Sequence, residues 1–135
     1  MEGWRKLNFN ISIKQDVINL LKIYNVYQSE VGGMIFGRKR FNKYILMTLS
    51  FKKGKNTSIN FSNNDKIIYQ LPEKQIIIGT WHLHPMQFEA NPSIIDLQQW
   101  KSWGKKYIHI ISTKKEFRIF NSKGECLYGY FFEEM

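Results

Sequence analysis

The stretch Gln75–His84 limits most what this chain can become. It reads Gln-Ile-Ile-Ile-Gly-Thr-Trp-His-Leu-His, and its first half is apolar and β-branched without polar alternation. A strand of that composition has both faces covered, which predicts a central strand between two packing layers. A chain of 135 residues can supply one such core, since at this size about 68% of the unfolded surface is buried on folding. The reading is therefore a single domain spanning residues 1–135.

The flanking patterns supply the other elements. Trp4–Ile13 alternates as one strand, with Leu7, Phe9, Ile11 and Ile13 on one face. Lys14–Val26 reads as a helix, because Val17, Leu20, Leu21 and Tyr24 recur at helical period. Val31–Arg40 and Tyr44–Lys52 form a hairpin about Phe41-Asn42-Lys43. Lys53–Ser58 is a loop, and Asn63–Gln70 carries a short helical pattern. Pro92-Ser93 opens a second helix that Gly104 stops after Trp103. Tyr107–Thr113, Glu116–Asn121 and Glu125–Phe132 complete the chain as strands. The expected class is α/β in the α+β sense: helices packed on a curved, mixed but mostly antiparallel sheet.

Composition narrows the function classes. With 43% hydrophobic residues the chain is not intrinsically disordered. The single cysteine, Cys126, excludes an internal disulfide or a multi-cysteine zinc ribbon. No apolar run approaches the roughly 20 residues of a membrane helix, and Met1–Leu7 lacks the features of a signal peptide. A cytoplasmic protein without a membrane partner is expected. Twenty Lys+Arg against eleven Asp+Glu give a charge of +9, but the basic clusters are short. Arg38-Lys39-Arg40, Lys52-Lys53 with Lys55, Lys105-Lys106 and Lys114-Lys115 all fall at strand ends or turns. Such charge is ordinarily solvated, so nucleic acid is not expected as the main partner.

The chemistry concentrates around His82 and His84. Residues two apart on a strand share a face, with Cα atoms about 6.5–7 Å apart, so both imidazoles can reach one zinc ion. Asp96, in the first turn of the next helix, offers a third ligand and leaves one position open, the pattern of a catalytic rather than a structural site. Ser93-Ile94-Ile95-Asp96 also fits a capping box, which by itself would account for both polar residues. The order of strand, His-x-His-Pro, short loop and helix N-terminus carries the carboxylate back toward the imidazoles.

Three segments together resemble a known family. Glu30-Val31-Gly32-Gly33-Met34-Ile35-Phe36-Gly37, then Gly79-Thr80-Trp81-His82-Leu83-His84-Pro85, then Ser93-Ile94-Ile95-Asp96 resemble the JAMM (MPN+) zinc metallopeptidases. The resemblance implies their cytidine-deaminase-like fold, with one Zn2+ per chain on His82, His84 and Asp96. It implies Glu30 as general acid/base and Ser93 as the group that stabilises the oxyanion. It is strongest to compact bacterial members, some encoded beside E1-like and E2-like enzymes, including in anti-phage cGAS-like (CBASS) operons. The implied substrate is a ubiquitin-like protein or its conjugate, cut after the C-terminal tail. Two departures stand out: eight residues separate His84 from Ser93 where seven is usual, and Leu83 replaces the commoner Ser or Thr. A catalytically silent module of the same fold and a basic nucleic-acid-associated protein are the alternative readings.

Other residues read as structural. Cys126 is expected as a small buried hydrophobe, Trp100 and Trp103 as packing residues, and His109 as structural or solvent-facing. Gly32 and Gly33 fit a bulge or a close backbone approach. Glu89, in the loop between the ligands, is a candidate for the substrate groove.

Overall fold

The computed structural model describes residues 3–8, 10–53 and 74–132. Its elements are β1 (Trp4–Asn8), β2 (Ile11–Lys14), α1 (Gln15–Tyr24), β3 (Val31–Arg40), β4 (Lys43–Leu49), β5 (Lys52–Lys53), β6 (Ile76–Leu83), α2 (Ile94–Trp103), β7 (Ile108–Ser112), β8 (Glu116–Asn121) and β9 (Cys126–Phe131). One curved sheet runs in the order β1-β2-β4-β3-β6-β7-β8-β9, with β5 paired to β3. Among the described strands only β2/β4 and β6/β7 are parallel; the other pairs are antiparallel. The sheet is nearly closed, and Arg5 on β1 donates to the Tyr130 hydroxyl on β9 at 3.1 Å. Among the described residues no helix is long and apolar enough to cross a membrane.

Two expectations about elements change. Trp4–Ile13 is a hairpin of two strands, with Asn8 paired to Ile11, rather than one strand. Asn8 and Asn10 flank that turn, and asparagine tolerates turn geometry without the Gly or Pro that marks most turns. Ile11 and Ile13 reach the core as expected. The helical pattern at Asn63–Gln70 and most of the Lys53–Ser58 loop lie outside the described residues.

The sheet has a core on each face. Val17, Ile18 and Leu21 of α1 cover one face, packing with Ile35, Leu46, Trp81, Leu83 and Ile110. Burying each of these helix side chains contributes about 1.5–3 kcal/mol. Tyr24 stacks on Trp81 at 5.2 Å, and the Trp81 indole donates to the Ser50 carbonyl at 2.7 Å. On the other face, Trp100 of α2 packs with Ala90, Ile111 and Phe120, and Trp103 packs with Met34, Phe36 and Ile77. The β3/β6 register jumps from Ile35↔Gly79 to Phe36↔Ile77, leaving Ile78 as the extra residue of a bulge. The bulge reverses the alternation, so Ile78 shares a core with Trp81 and Leu83 while Ile77 faces the other.

His109 joins α2 to the sheet. It is fully buried, stacked on Trp100 with centroids 4.7 Å apart and planes at 6°. Its Nδ1 lies 2.8 Å from Thr80 Oγ1 and its Nε2 2.9 Å from Ser122 Oγ. Ser122 spends its own hydrogen on the Tyr107 carbonyl at 3.3 Å, so it accepts from His109 Nε2–H, and Nδ1 accepts from Thr80. This is a neutral imidazole: burial, with a smaller contribution from the field of His82, pushes its pKa down to about 3.

The native value lies below the ordinary 6.5, so between these limits the native state binds fewer protons than the unfolded chain. The stabilisation from neutral His109 is complete above pH 6.5 and is lost as pH falls toward 3. Denaturant titrations should show the stability gap between the parent and His109→Phe shrinking by about 2 kcal/mol from pH 7 to pH 5. An unchanged gap would mean that His109 titrates in the native protein as it does in the unfolded chain.

Candidate metal centre

The β6–α2–β7 unit builds the site. Parallel pairing of β6 with β7 requires a crossover, and the short one here returns the helix N-terminus to the carboxyl end of β6. His82 lies at that end, and His84 extends it by donating its backbone N–H to Ser112 O at 2.8 Å. Residues 82 and 84 face α2, while Leu83 between them is buried in the opposite core. That accounts for the apolar residue between the histidines: on this face Leu83 packs against the core that α1 covers.

His82, His84 and Asp96 converge. His82 Nε2 lies 2.8 Å from His84 Nε2 and 3.0 Å from Asp96 Oδ1, and His84 Nε2 lies 3.2 Å from Asp96 Oδ2. The edge of a tetrahedron around zinc with 2.0–2.1 Å bonds is about 3.3 Å, slightly longer than these separations. Two imidazole nitrogens and a carboxylate are also the donor chemistry that suits zinc. All three residues are buried, and together they can hold a metal ion.

The capping box and the candidate ligand set share one residue, Asp96. Ser93 Oγ accepts from the Asp96 amide at 3.1 Å, and Asp96 Oδ2 accepts from the Ser93 amide at 2.7 Å. The cap fixes the Asp96 rotamer while Oδ1 faces His82. Burial alone would push the Asp96 carboxyl up. The hydrogen bonds from His82 and His84, with the Ser93 amide, outweigh it and hold the group well below the usual carboxylate range. For His84, burial pulls the pKa down, but Asp96, Gln87 and Glu30 together carry it above 6.5. His84 Nδ1 is buried without a hydrogen bond, although the Gln87 side chain lies close enough to favour the protonated ring.

Glu30 reaches the site through sheet register. Gly32 pairs with His82, and continuing that antiparallel register places Glu30 across from His84. Its Oε1 lies 3.7 Å from His84 Nε2, and its side chain is partly exposed. A side chain at position 32 would crowd this arrangement, because a Cβ there would come within 2.7 Å of His82 Cβ. Glu30, His84, Met86 and Gln87 line an open pocket of about 220 Å³ beside the triad.

Sequence reasoning missed how the ligand loop is held. Glu116, only 3% exposed, accepts from the Ala90 amide at 3.2 Å and from Arg118 Nε at 2.8 Å. Arg118 donates onward to Asn91 Oδ1 at 2.9 Å, and Thr113 Oγ1 donates to the Phe88 carbonyl at 2.9 Å. These contacts tie the loop at 85–92 to the β7–β8 turn. A polar Thr-x-x-Glu-x-Arg at a strand turn was the only signal in the sequence. Glu89 does not line the pocket beside Glu30; it accepts from Asn91 at 3.1 Å and borders a separate groove with Phe88 and Phe131. Cys126 is exposed on edge strand β9, contrary to the expected burial, because β9 is paired on one side only.

No protein-family model and no curated protein matches the chain. Among solved structures it is similar to a JAB1/MPN domain protein from Archaeoglobus fulgidus, with a TM-score of 0.58 at 22% sequence identity. The match covers 88% of this chain and 94% of that one. The fold is that of a JAB1/MPN domain. In this JAB1/MPN fold the buried His82-His84-Asp96 cluster is compatible with a JAMM-type metal site.

Asp96 is thus placed to serve both the helix cap and a metal ion. Asp96→Asn keeps an oxygen for the cap and should cost less than about 1 kcal/mol of stability, while stoichiometric zinc binding is lost. Ser93→Ala should cost about 1 kcal/mol and leave zinc bound. Metal analysis paired with thermal melts checks both; full zinc occupancy in Asp96→Asn would remove Asp96 from the ligand set.

Proposed function

We propose that the chain is a zinc-dependent peptidase or isopeptidase that cuts after the C-terminal tail of a ubiquitin-like protein or conjugate. One zinc per chain would be held by His82, His84 and Asp96. The observation that carries this reading is a carboxylate outside the ligand set, Glu30, standing 3.7 Å from one ligand on an open pocket. The resemblance of the three sequence segments to JAMM metallopeptidases and the JAB1/MPN fold both support it.

When bound, zinc supplies a Lewis acid and lowers the pKa of a coordinated water to about 7. The chain supplies the rest. Glu30 takes a proton as the water oxygen attacks the carbonyl carbon, then delivers it to the leaving nitrogen as the C–N bond breaks. Ser93 Oγ already accepts from the Asp96 amide, so its own hydrogen is available to the carbonyl oxygen as charge develops there. Asp96 stays ionised throughout, held so by its two histidines and the Ser93 amide. An extended tail would lie in the groove leading to Glu30, with backbone pairing to a neighbouring strand supplying affinity. The natural substrates would be conjugates made by E1-like and E2-like enzymes in the cytoplasm.

The test is turnover of a panel of ubiquitin-like fusions by zinc-loaded protein. Glu30→Gln is expected to lower kcat by about 10²–10⁴ with zinc content unchanged. Ser93→Ala is expected to lower it by about 10²–10³. Cleavage by Glu30→Gln at the parent rate would remove Glu30 from the mechanism. Failure of the parent to cut any fusion would overturn the proposed substrate class.

A further inference from the structure

The other end of the sheet carries a second surface. Clusters that are separate and short in sequence meet there. The β3–β4 hairpin brings Arg38, Arg40 and Lys43, the start of β6 brings Lys74, and the α2–β7 turn brings Lys105 and Lys106, all six exposed. Two hydrogen bonds fasten these segments together: Arg38 Nε donates to the Lys74 carbonyl at 3.2 Å, and Lys39 Nζ to the Lys106 carbonyl at 3.3 Å. Among the described residues no carboxylate forms an ion pair with any of these cations. Glu125, on the adjoining β8–β9 turn, accepts instead from the Asn121 amide at 3.1 Å.

Two further features accompany the charge. Phe41, at the hairpin tip, is 88% exposed and sits at φ 57, a left-handed conformation in which Gly or Asn is ordinary. Beside it, Asn10, Asn42, Tyr44 and Leu127 line a pocket of about 270 Å³. Tyr44 links that pocket to the cations: its hydroxyl donates to the Lys106 carbonyl at 3.1 Å, and Lys39 Nζ lies 5.1 Å from its ring centroid.

We infer that this end of the molecule binds single-stranded nucleic acid, with phosphates on the cations, one base against Phe41 and another in the amide-lined pocket. Charge alone would serve an acidic peptide equally well. A presented aromatic face and a pocket with amide donors and acceptors are what an unstacked base requires. A lone ring on a two-residue turn suits a flexible single strand better than the grooves of a duplex. The surface is separate from the metal centre: β6 runs from Ile76 at the cationic end to Leu83 at the metal end, about 23 Å.

The experiment is fluorescence anisotropy with labelled oligouridylate and oligothymidylate of about twelve nucleotides, titrated with the full chain at 50 and 200 mM salt. Binding that weakens with salt is expected for both probes. The triple variant Arg38→Gln, Arg40→Gln, Lys106→Gln should reduce the slope of log K against log salt by about 2. Phe41→Ala should weaken binding about tenfold with the slope unchanged, and Phe41→Trp should restore it. A His82→Ala, His84→Ala variant should bind as the parent does, so the outcome does not depend on the proposed activity. Circular dichroism confirms that each variant is folded. The inference fails if the parent does not bind at 50 mM salt, if duplex or polyglutamate binds as tightly as single strands, or if Phe41→Ala binds like the parent.

Discussion

Because β6 and β7 run parallel, the chain leaving His84 must cross the sheet before β7 can begin, and α2 is that crossing. Most of the site follows from this pairing. The helix N-terminus has to lie over the end of β6, which places a residue of its first turn beside side chains that leave the strand on the same face. The capping box then does local work with distant consequences: the bonds that satisfy the orphan amides of α2 also lock the Asp96 rotamer that faces His82. The helix is anchored by few residues. Trp100 and Trp103 are buried, whereas Ile94 and Ile95 on its outer side are exposed. His109, neutral between Thr80 and Ser122 and stacked on Trp100, makes the connection polar and directional rather than merely apolar.

The parts legible in the sequence were those carried by side-chain period and local chemistry. The bounds of β3 match the run Val31–Arg40, and α2 begins after Ser93 and ends before Gly104, whose φ of 93° stops the helix. The imidazole pair was legible because a period of two on a strand fixes a shared face. Pairing-dependent features were not visible. The bulge at Ile78 is a property of the β3/β6 register, which the neighbouring Gly79 marks only as a bulge or a close backbone approach. Thr80, His109 and Ser122 meet only because β7 pairs with β6 on one side and β8 on the other. Cys126 was misjudged for a related reason: its apolar neighbours suggest burial, but an edge strand with one partner leaves it in solvent.

The distribution of charge separates two ends of one sheet. Glu30, Glu89, Asp96 and Glu116 lie at the end where β6 terminates, all four in hydrogen bonds or ion-pair contacts within the loop at 85–92 or the triad. The hairpin end gathers arginines and lysines from segments more than sixty residues apart in sequence, fastened through backbone carbonyls rather than carboxylates. A net charge of +9 is thus an uninformative sum over an organised surface. Carboxylates shape the loop at 85–92 and the triad at one end, and exposed cations gather at the other.

The central claim is that this fold directs two imidazoles and one carboxylate at a single ion and leaves a position open. X-ray absorption at the zinc edge on the zinc-loaded protein tests it most directly. The account predicts four nitrogen or oxygen neighbours at about 2.0–2.1 Å, with outer-shell scattering from two imidazoles and no sulfur. Sulfur scattering near 2.3 Å, or the signature of one imidazole or none, would contradict it.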